Sequence, residues 1–257
     1  MRVALTLARR ELGAVFGAPT AYVVLAGFLL LGGWFFYNLL AHFSQLLQLY
    51  SSVQMGGEEA GLNLNDMVIA PLLHNLAVIL VILIPMITMR SFAEERRQAT
   101  MELLLTSPIG TGTLVLGKFL GLGAFVSLMV ALAGIYAVVL AAFGNPEIPV
   151  LVAGYVGLWL MALVFVAIGL FASSLTDNQL IAAVTGLVTM LLLFIVAWPA
   201  AQAGETMGAV LTHLSITEHF DEMVRGIVST SGLTYFVTMI AGWLFLTQRS
   251  VESLRWR

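Results

Sequence analysis

Long apolar runs broken by short charged clusters make up most of the chain, each run near the roughly 20 residues that cross a bilayer as a helix. Six spans are predicted, approximately Thr20–Leu40, Met67–Met89, Lys118–Phe143, Val150–Ala172, Leu180–Pro199 and Gly232–Thr247. An even number of crossings puts both termini on one side. The connecting segments follow a different pattern. Residues 2–17 place Arg2, Thr6, Arg9, Arg10 and Gly13 on one helical face and Val3, Leu5, Leu12 and Phe16 on another, which predicts an amphipathic helix at the membrane surface. In residues 200–231, Phe220, Met223, Val224, Ile227 and Val228 recur at helical spacing, and Ser215 and Glu218 are spaced as a capping box. A second short amphipathic helix is expected there, lying on the opposite membrane surface or dipping into it.

Composition fits this pattern. Hydrophobic residues are 60% of the 257 and charged residues 10%, against about 25% charged in a soluble domain. The expected class is an all-α polytopic membrane protein, one transmembrane domain over residues 1–257. There is no cysteine, which excludes disulfides, zinc–thiolate sites, iron–sulfur clusters and cysteine nucleophiles. The opening MRVALTLARRELGAVFGAP leads into an apolar stretch too long for a signal peptide, with no small-x-small cleavage site, and reads as an uncleaved first span. Ten of the 11 Lys and Arg residues fall on one side: Arg2, Arg9, Arg10, Arg90, Arg96, Arg97, Lys118, Arg249, Arg255 and Arg257. Only Arg225 falls on the other, so the positive-inside rule makes both termini cytoplasmic. The first external loop, roughly 41–66, carries Glu58, Glu59 and Asp66, and GNPEIP at 144–149 is a tight turn.

The stretch SFAEERRQATMELLLTSP, residues 91–108, gathers charge in mid-sequence on the cytoplasmic side. Ser91 and Glu94 are spaced as a capping box, and Ser107–Pro108 marks the next helix start. A solvated loop obeying the positive-inside rule needs Arg96 and Arg97, but not Glu94, Glu95, Glu102 and a leucine run. The mixed charge with an apolar edge suits a docking helix for a soluble partner. GTLVLGK at 112–118 matches seven positions of a P-loop, but Phe119 takes the magnesium-ligand position and no strand precedes it, so the match is assigned to chance and no ATP site is expected in this chain.

His74 and Asn75 lie within the second span, where an interhelical hydrogen bond is the favoured reading. No carboxylate falls inside a predicted span, which argues against a proton-driven carrier. Asp177 and Asn178 are expected to cap the fifth span, with Thr176 or Asp177 supplying the side-chain oxygen. His213, His219, Asp221 and Glu222 match no metal-ligand spacing, and Asp221 suits an i,i+4 pair with Arg225. Gly117 with Gly121, and Ala182 with Gly186, permit close helix approach within the bundle or across a dimer.

IPMITMRSFAEERRQATMELLLTSPI, followed by LGK, resembles the cytoplasmic connection of type-2 ABC transporter permeases, nearest to the gliding-motility-associated branch. FGAPTAYVVLAGFLLLGGWFF, IGLFASSLTDNQLIA and TEHFDEMVRGIVST extend the resemblance over nearly the whole chain. Nitrous-oxide-reductase maturation permeases are more distant relatives of the same plan. The resemblance implies six spans in the bacterial cytoplasmic membrane and no catalysis by this chain. A separate cytoplasmic ATPase would hold ATP and magnesium. The chain would pair with itself or a related permease, alongside a companion subunit with an extracytoplasmic domain, in contact with lipid and not nucleic acid. Within the connection 90–117 it implies a coupling helix at about Glu94–Leu105, using Glu94, Glu95, Arg96, Arg97, Thr100, Glu102 and Leu103. Arg9, Arg10 and Glu11 of the N-terminal helix, residues 1–19, would be the other cytoplasmic contact. Segment 200–231, with His219, Asp221, Glu222 and Arg225, would form short re-entrant helices. An export permease or a force-transmitting device both fit. A secondary transporter or channel, and a non-transporting scaffold, are the alternatives.

Overall fold

The computed structural model describes residues 2–52, 63–101 and 110–254, and the described residues form helices and turns. Five helical segments are long and apolar enough to cross a membrane: Pro19–Leu49, Asn65–Arg97, Thr111–Phe143, Ile148–Leu175 and Thr230–Ser253. The chain opens with α1 (Arg2–Gly17) and turns at Ala18 into α2 (Pro19–Ser52). Proline in the first turn of α2 fits, because its missing N–H has no acceptor there. At 34 residues, α2 runs about 51 Å and passes well beyond the expected end at Leu40, since Ala41–Gln48 holds no helix breaker.

A π-helical turn, Asn65–Ile69, leads into α3 (Ala70–Thr88), and α4 (Arg90–Arg97) follows after Met89, which stays helical at φ −55° and ψ −31°. Then come α5 (Thr111–Phe143), α6 (Ile148–Leu175), α7 (Gln179–Ile195), a 3₁₀ turn Ala200–Gln202, α8 (Glu205–Leu214), α9 (Ile216–Val224) and α10 (Thr230–Ser253). The fifth predicted span is shorter than expected. Helix α7 ends at Ile195 after 17 residues, about 26 Å, before the turn at Pro199. It is apolar but falls below the length of the five long segments.

Helix α6 is the axis of the bundle. Val164, Phe165, Val166, Ala167 and Ile168 are all fully buried, and α3, α4, α5, α7, α9 and α10 pack around it. Its glycines let neighbours approach: a Cβ on Gly154 would stand 2.5 Å from Leu73 Cδ1, and one on Gly157 2.9 Å from Met223 Cβ. Helix α2 is peripheral, with Tyr22, Val23, Leu30, Trp34 and Tyr37 exposed, as expected where the surroundings are hydrocarbon.

Both described chain ends lie at one end of the bundle, here the terminal end. There Thr111 donates to Glu252 Oε1 (2.9 Å), joining the start of α5 to the end of α10, and α1 packs along α5. At the far end Asn65 and Glu147 exchange hydrogen bonds of 3.4 and 3.2 Å.

Three expected caps are corrected. Helix α3 runs on into α4 through Met89, so Ser91 and Glu94 form no capping box. Ser215 does precede α9, but its hydroxyl pairs with Thr217 Oγ1 (2.8 Å) and caps no amide, because Thr217 offers a nearer partner than the backbone. Helix α7 is capped by Asn178, whose Oδ1 accepts from Leu180 N (2.9 Å) and Ile181 N (3.4 Å), while Thr176 Oγ1 accepts from Asn178 N (3.1 Å). Asp177 contributes no cap. Ser107–Pro108 lies outside the described residues.

Candidate functional site: a clamped elbow and a buried lysine

The α3–α4 junction is where the backbone ladder breaks. Pro85 inside α3 has no N–H to give. Two turns on, the amides of Phe92 and Ala93 donate to Ser173 Oγ of α6 (3.0 and 3.1 Å), and the Ser173 hydroxyl donates to Met89 O (2.9 Å). A side chain inserted into the i→i−4 ladder is a recognised cause of a bend. Thr88, one residue before Met89, packs directly on Gly169 of α6. Beyond the junction, Arg96 Nη1 donates to Ser174 O (2.9 Å), supplying a cation to the carbonyl end of α6. The elbow is thus clamped to α6 from both sides.

Lys118 of α5 lies against this elbow and is 1% exposed. Its Nζ donates to Glu11 Oε1 of α1 (2.6 Å), Ser91 O (2.7 Å) and Glu95 Oε1 of α4 (2.8 Å). An ammonium has three protons to give, and here all three are taken, with the Phe92 ring 5.0 Å from the nitrogen. The close approach of α1 is made by glycine. A Cβ on Gly117 would stand 2.6 Å from Leu7 Cβ, and one on Gly121 would stand 2.6 Å from Glu11 Cβ and 2.9 Å from Ala8 O. The Gly117/Gly121 pair is therefore the seat of α1, which settles for this pair a choice the sequence left open. GTLVLGK is helical throughout, within α5.

A cavity of about 810 Å³ lies beside the lysine, bounded by α1, α2, α3–α4 and α5. Two polar atoms in its lining residues are buried without a partner, Ser91 Oγ and Glu95 Oε2. On the other side of the elbow, Arg97 and Met89 face Asp177–Leu180 across a notch of about 510 Å³.

The residues expected to form the coupling set divide. Glu95 and Arg96 turn inward, to Lys118 and to α6. Glu94 accepts from its neighbour Gln98 (3.1 Å), Arg97 is exposed, and the Thr100 hydroxyl donates to Glu95 O (3.2 Å). Ala99, at φ 55°, ends α4 in the left-handed region. Glu102 and Leu103 lie outside the described residues. On α1, Arg9 and Arg10 are exposed while Glu11 joins the lysine. In the sequence Lys118 reads as a topology marker and as the end of a chance P-loop match; the signal for its burial is a lone cation entering an apolar run beside two glycines.

The far-end residues form a separate cluster. His74 Nδ1 meets Ala70 O at 2.7 Å and its Nε2 meets Asp221 Oδ1 of α9 at 2.6 Å, so the expected interhelical bond of His74 is made to α9. Asp221 consequently pairs with His74 and not with Arg225, which is exposed. His219 stacks on Tyr235 (centroids 4.0 Å apart), and Glu222 Oε2 accepts from Ser229 (2.8 Å). These contacts fasten α9 to α3 and α10, remote in the fold from the elbow. Among the described residues no three His, Asp or Glu side chains gather as a metal site.

Residues 14–247 match the family model described as ABC-2 family transporter protein. No curated protein matches the chain.

Proposed function

The chain belongs to the ABC-2 family of transporter proteins, and we propose that it is a permease subunit driven by a separate cytoplasmic ATPase, exporting a solute or delivering mechanical work across the membrane. In this reading α7 is the sixth span, both termini are cytoplasmic in a bacterial inner membrane, and ATP and magnesium reside on the ATPase. The chain works as a homodimer or with a related permease, near the gliding-motility branch. The α8–α9 cap forms the short external helices and offers a surface to a companion subunit.

The observation that carries this reading is the elbow clamp. A push on α4 cannot be absorbed locally, because Ser173 holds its backbone, Arg96 ties it to α6 and Lys118 ties it to α5 and α1. Displacement of α4 is therefore shared among three other helices, as a lever requires. The exposed charge of α4 left for the ATPase is Arg97, and interfacial charge of this kind favours register and encounter rate more than raw affinity. Arg97→Glu is the test. Tagged chain isolated from its native membrane should carry an ATPase whose activity it modulates, and the variant should insert normally yet lose that subunit. Full ATPase coupling in the variant, or solute flux without nucleotide, overturns the assignment.

A further inference from the structure

We infer that the cavity beside Lys118 binds one phospholipid whose head carries a phosphate and a primary ammonium. The cavity, about 810 Å³, has the size of a site for a compact ligand. Its charged lining is balanced: Arg10, Arg90 and Lys118 against Glu11, Glu94 and Glu95. A ligand of zero net charge but separated charges matches that wall, whereas a purely anionic head would face three carboxylates.

Each half of such a head has an identifiable partner. Arg10 and Arg90 are exposed, and among the described residues neither has an ion-pair partner. They are free to hold a phosphate by charge-assisted hydrogen bonds. Deeper in, Ser91 Oγ and Glu95 Oε2 are buried with nothing to bond, and Ser91 is only 7% exposed. Native structures rarely leave such atoms unpaired. A primary ammonium supplies N–H donors to both. A quaternary ammonium supplies none.

The height of the site agrees with this occupant. Lys118 and Leu122 on α5, and Arg90 and Met86 on α3–α4, line the same cavity one helical turn apart. The wall thus passes from charged to apolar over roughly 6 Å, and Val24 continues the apolar side. The turn from α1 into α2 at Ala18 and Thr20 also lines the cavity, where an amphipathic helix becomes a long apolar one. A head group resting on the charged floor would have its chains begin against these apolar side chains.

The test is native mass spectrometry of the purified protein with equal amounts of phosphatidylethanolamine, phosphatidylcholine and phosphatidylglycerol. One phosphatidylethanolamine should stay bound, preferred by about tenfold over the other two, as one net hydrogen-bonded charge contact warrants. Arg10→Ala with Arg90→Ala should weaken the phosphatidylethanolamine adduct, because the phosphate loses its partners. Thr20→Trp, which narrows the cavity without touching a charge, should displace the lipid and gives an independent readout if the double variant fails to fold. Equal retention of all three lipids, or an unchanged adduct in either variant, overturns the proposal. The measurement uses no nucleotide and no ATPase, so its outcome is separate from the transporter assignment.

Discussion

The hydroxyl of Ser173 sits at the junction of α3 and α4, accepting from Phe92 N at 3.0 Å and Ala93 N at 3.1 Å and donating to Met89 O at 2.9 Å. One side chain from α6 thus ties the end of α3 to the start of α4. Ser173→Ala removes the side-chain partner of the buried Phe92 and Ala93 amides and the Met89 carbonyl, and a buried group left unpaired costs about 1–3 kcal/mol. The variant should melt earlier in detergent and show faster amide exchange at Phe92 and Ala93. Exchange unchanged there would mean the ladder closes without the hydroxyl.

Lys118→Met strands two carboxylates that are each 18% exposed. Removing one partner from a buried charged cluster costs about 3–5 kcal/mol. Adding Glu11→Gln and Glu95→Gln should recover much of that loss, because the uncompensated charge is then gone. Glu95→Lys, which sets two cations together, should be among the worst single changes at the elbow. Thermal melting of the series decides it: if the triple variant is no better than Lys118→Met, the cost does not arise from charge.

Gly121→Val should push α1 off its seat, since even a Cβ there would stand 2.9 Å from the backbone oxygen of Ala8. Overpacking of this kind costs about 1–3 kcal/mol. Gly134→Ala, where nothing lies within 4 Å of the new Cβ, is the matched control on the same helix. Proteolysis within residues 2–17 should accelerate in the first variant and stay unchanged in the second.

Asp221→Asn weakens the contact of α9 with His74, but both side chains are about two-fifths exposed at 39% and 41%. Solvent screening limits the coupling to about 0.2–1 kcal/mol. A double-mutant cycle with His74→Ala should return a value in that range, and the elbow should be unaffected. A much larger coupling would show that α9 depends on this one bond, against the packing of Phe220 and Met223 on Gly157.

The long apolar helices were legible because hydrocarbon length imposes a strict period on sequence. Helix α7 was misjudged because Ala197–Pro199 is as apolar as a span yet turns, and hydropathy does not register a turn. The elbow was also legible as a concentration of charge, but not the direction in which each charge points. Glu95 and Arg96 were read as partner contacts, whereas Lys118 and the end of α6 claim them first. Glu11 and Lys118 stand 107 positions apart, and no local pattern links residues at that distance. The caps failed for the opposite reason: Ser91 and Ser215 had suitable spacing, but a continuing helix at one and a nearer hydroxyl at the other displaced it.

The distance between Glu11 and Lys118 also sets an order of assembly. Glu11 leaves the ribosome 107 residues ahead of Lys118, which at ordinary translation speed is roughly 5–20 s. Through that interval α1 has no seat, and its carboxylate must be kept hydrated at the lipid surface. The two-faced character of α1 lets it float there until α5 arrives. The N-terminal helix thus waits through the synthesis of α2, α3 and α4 before the helix it docks on is made.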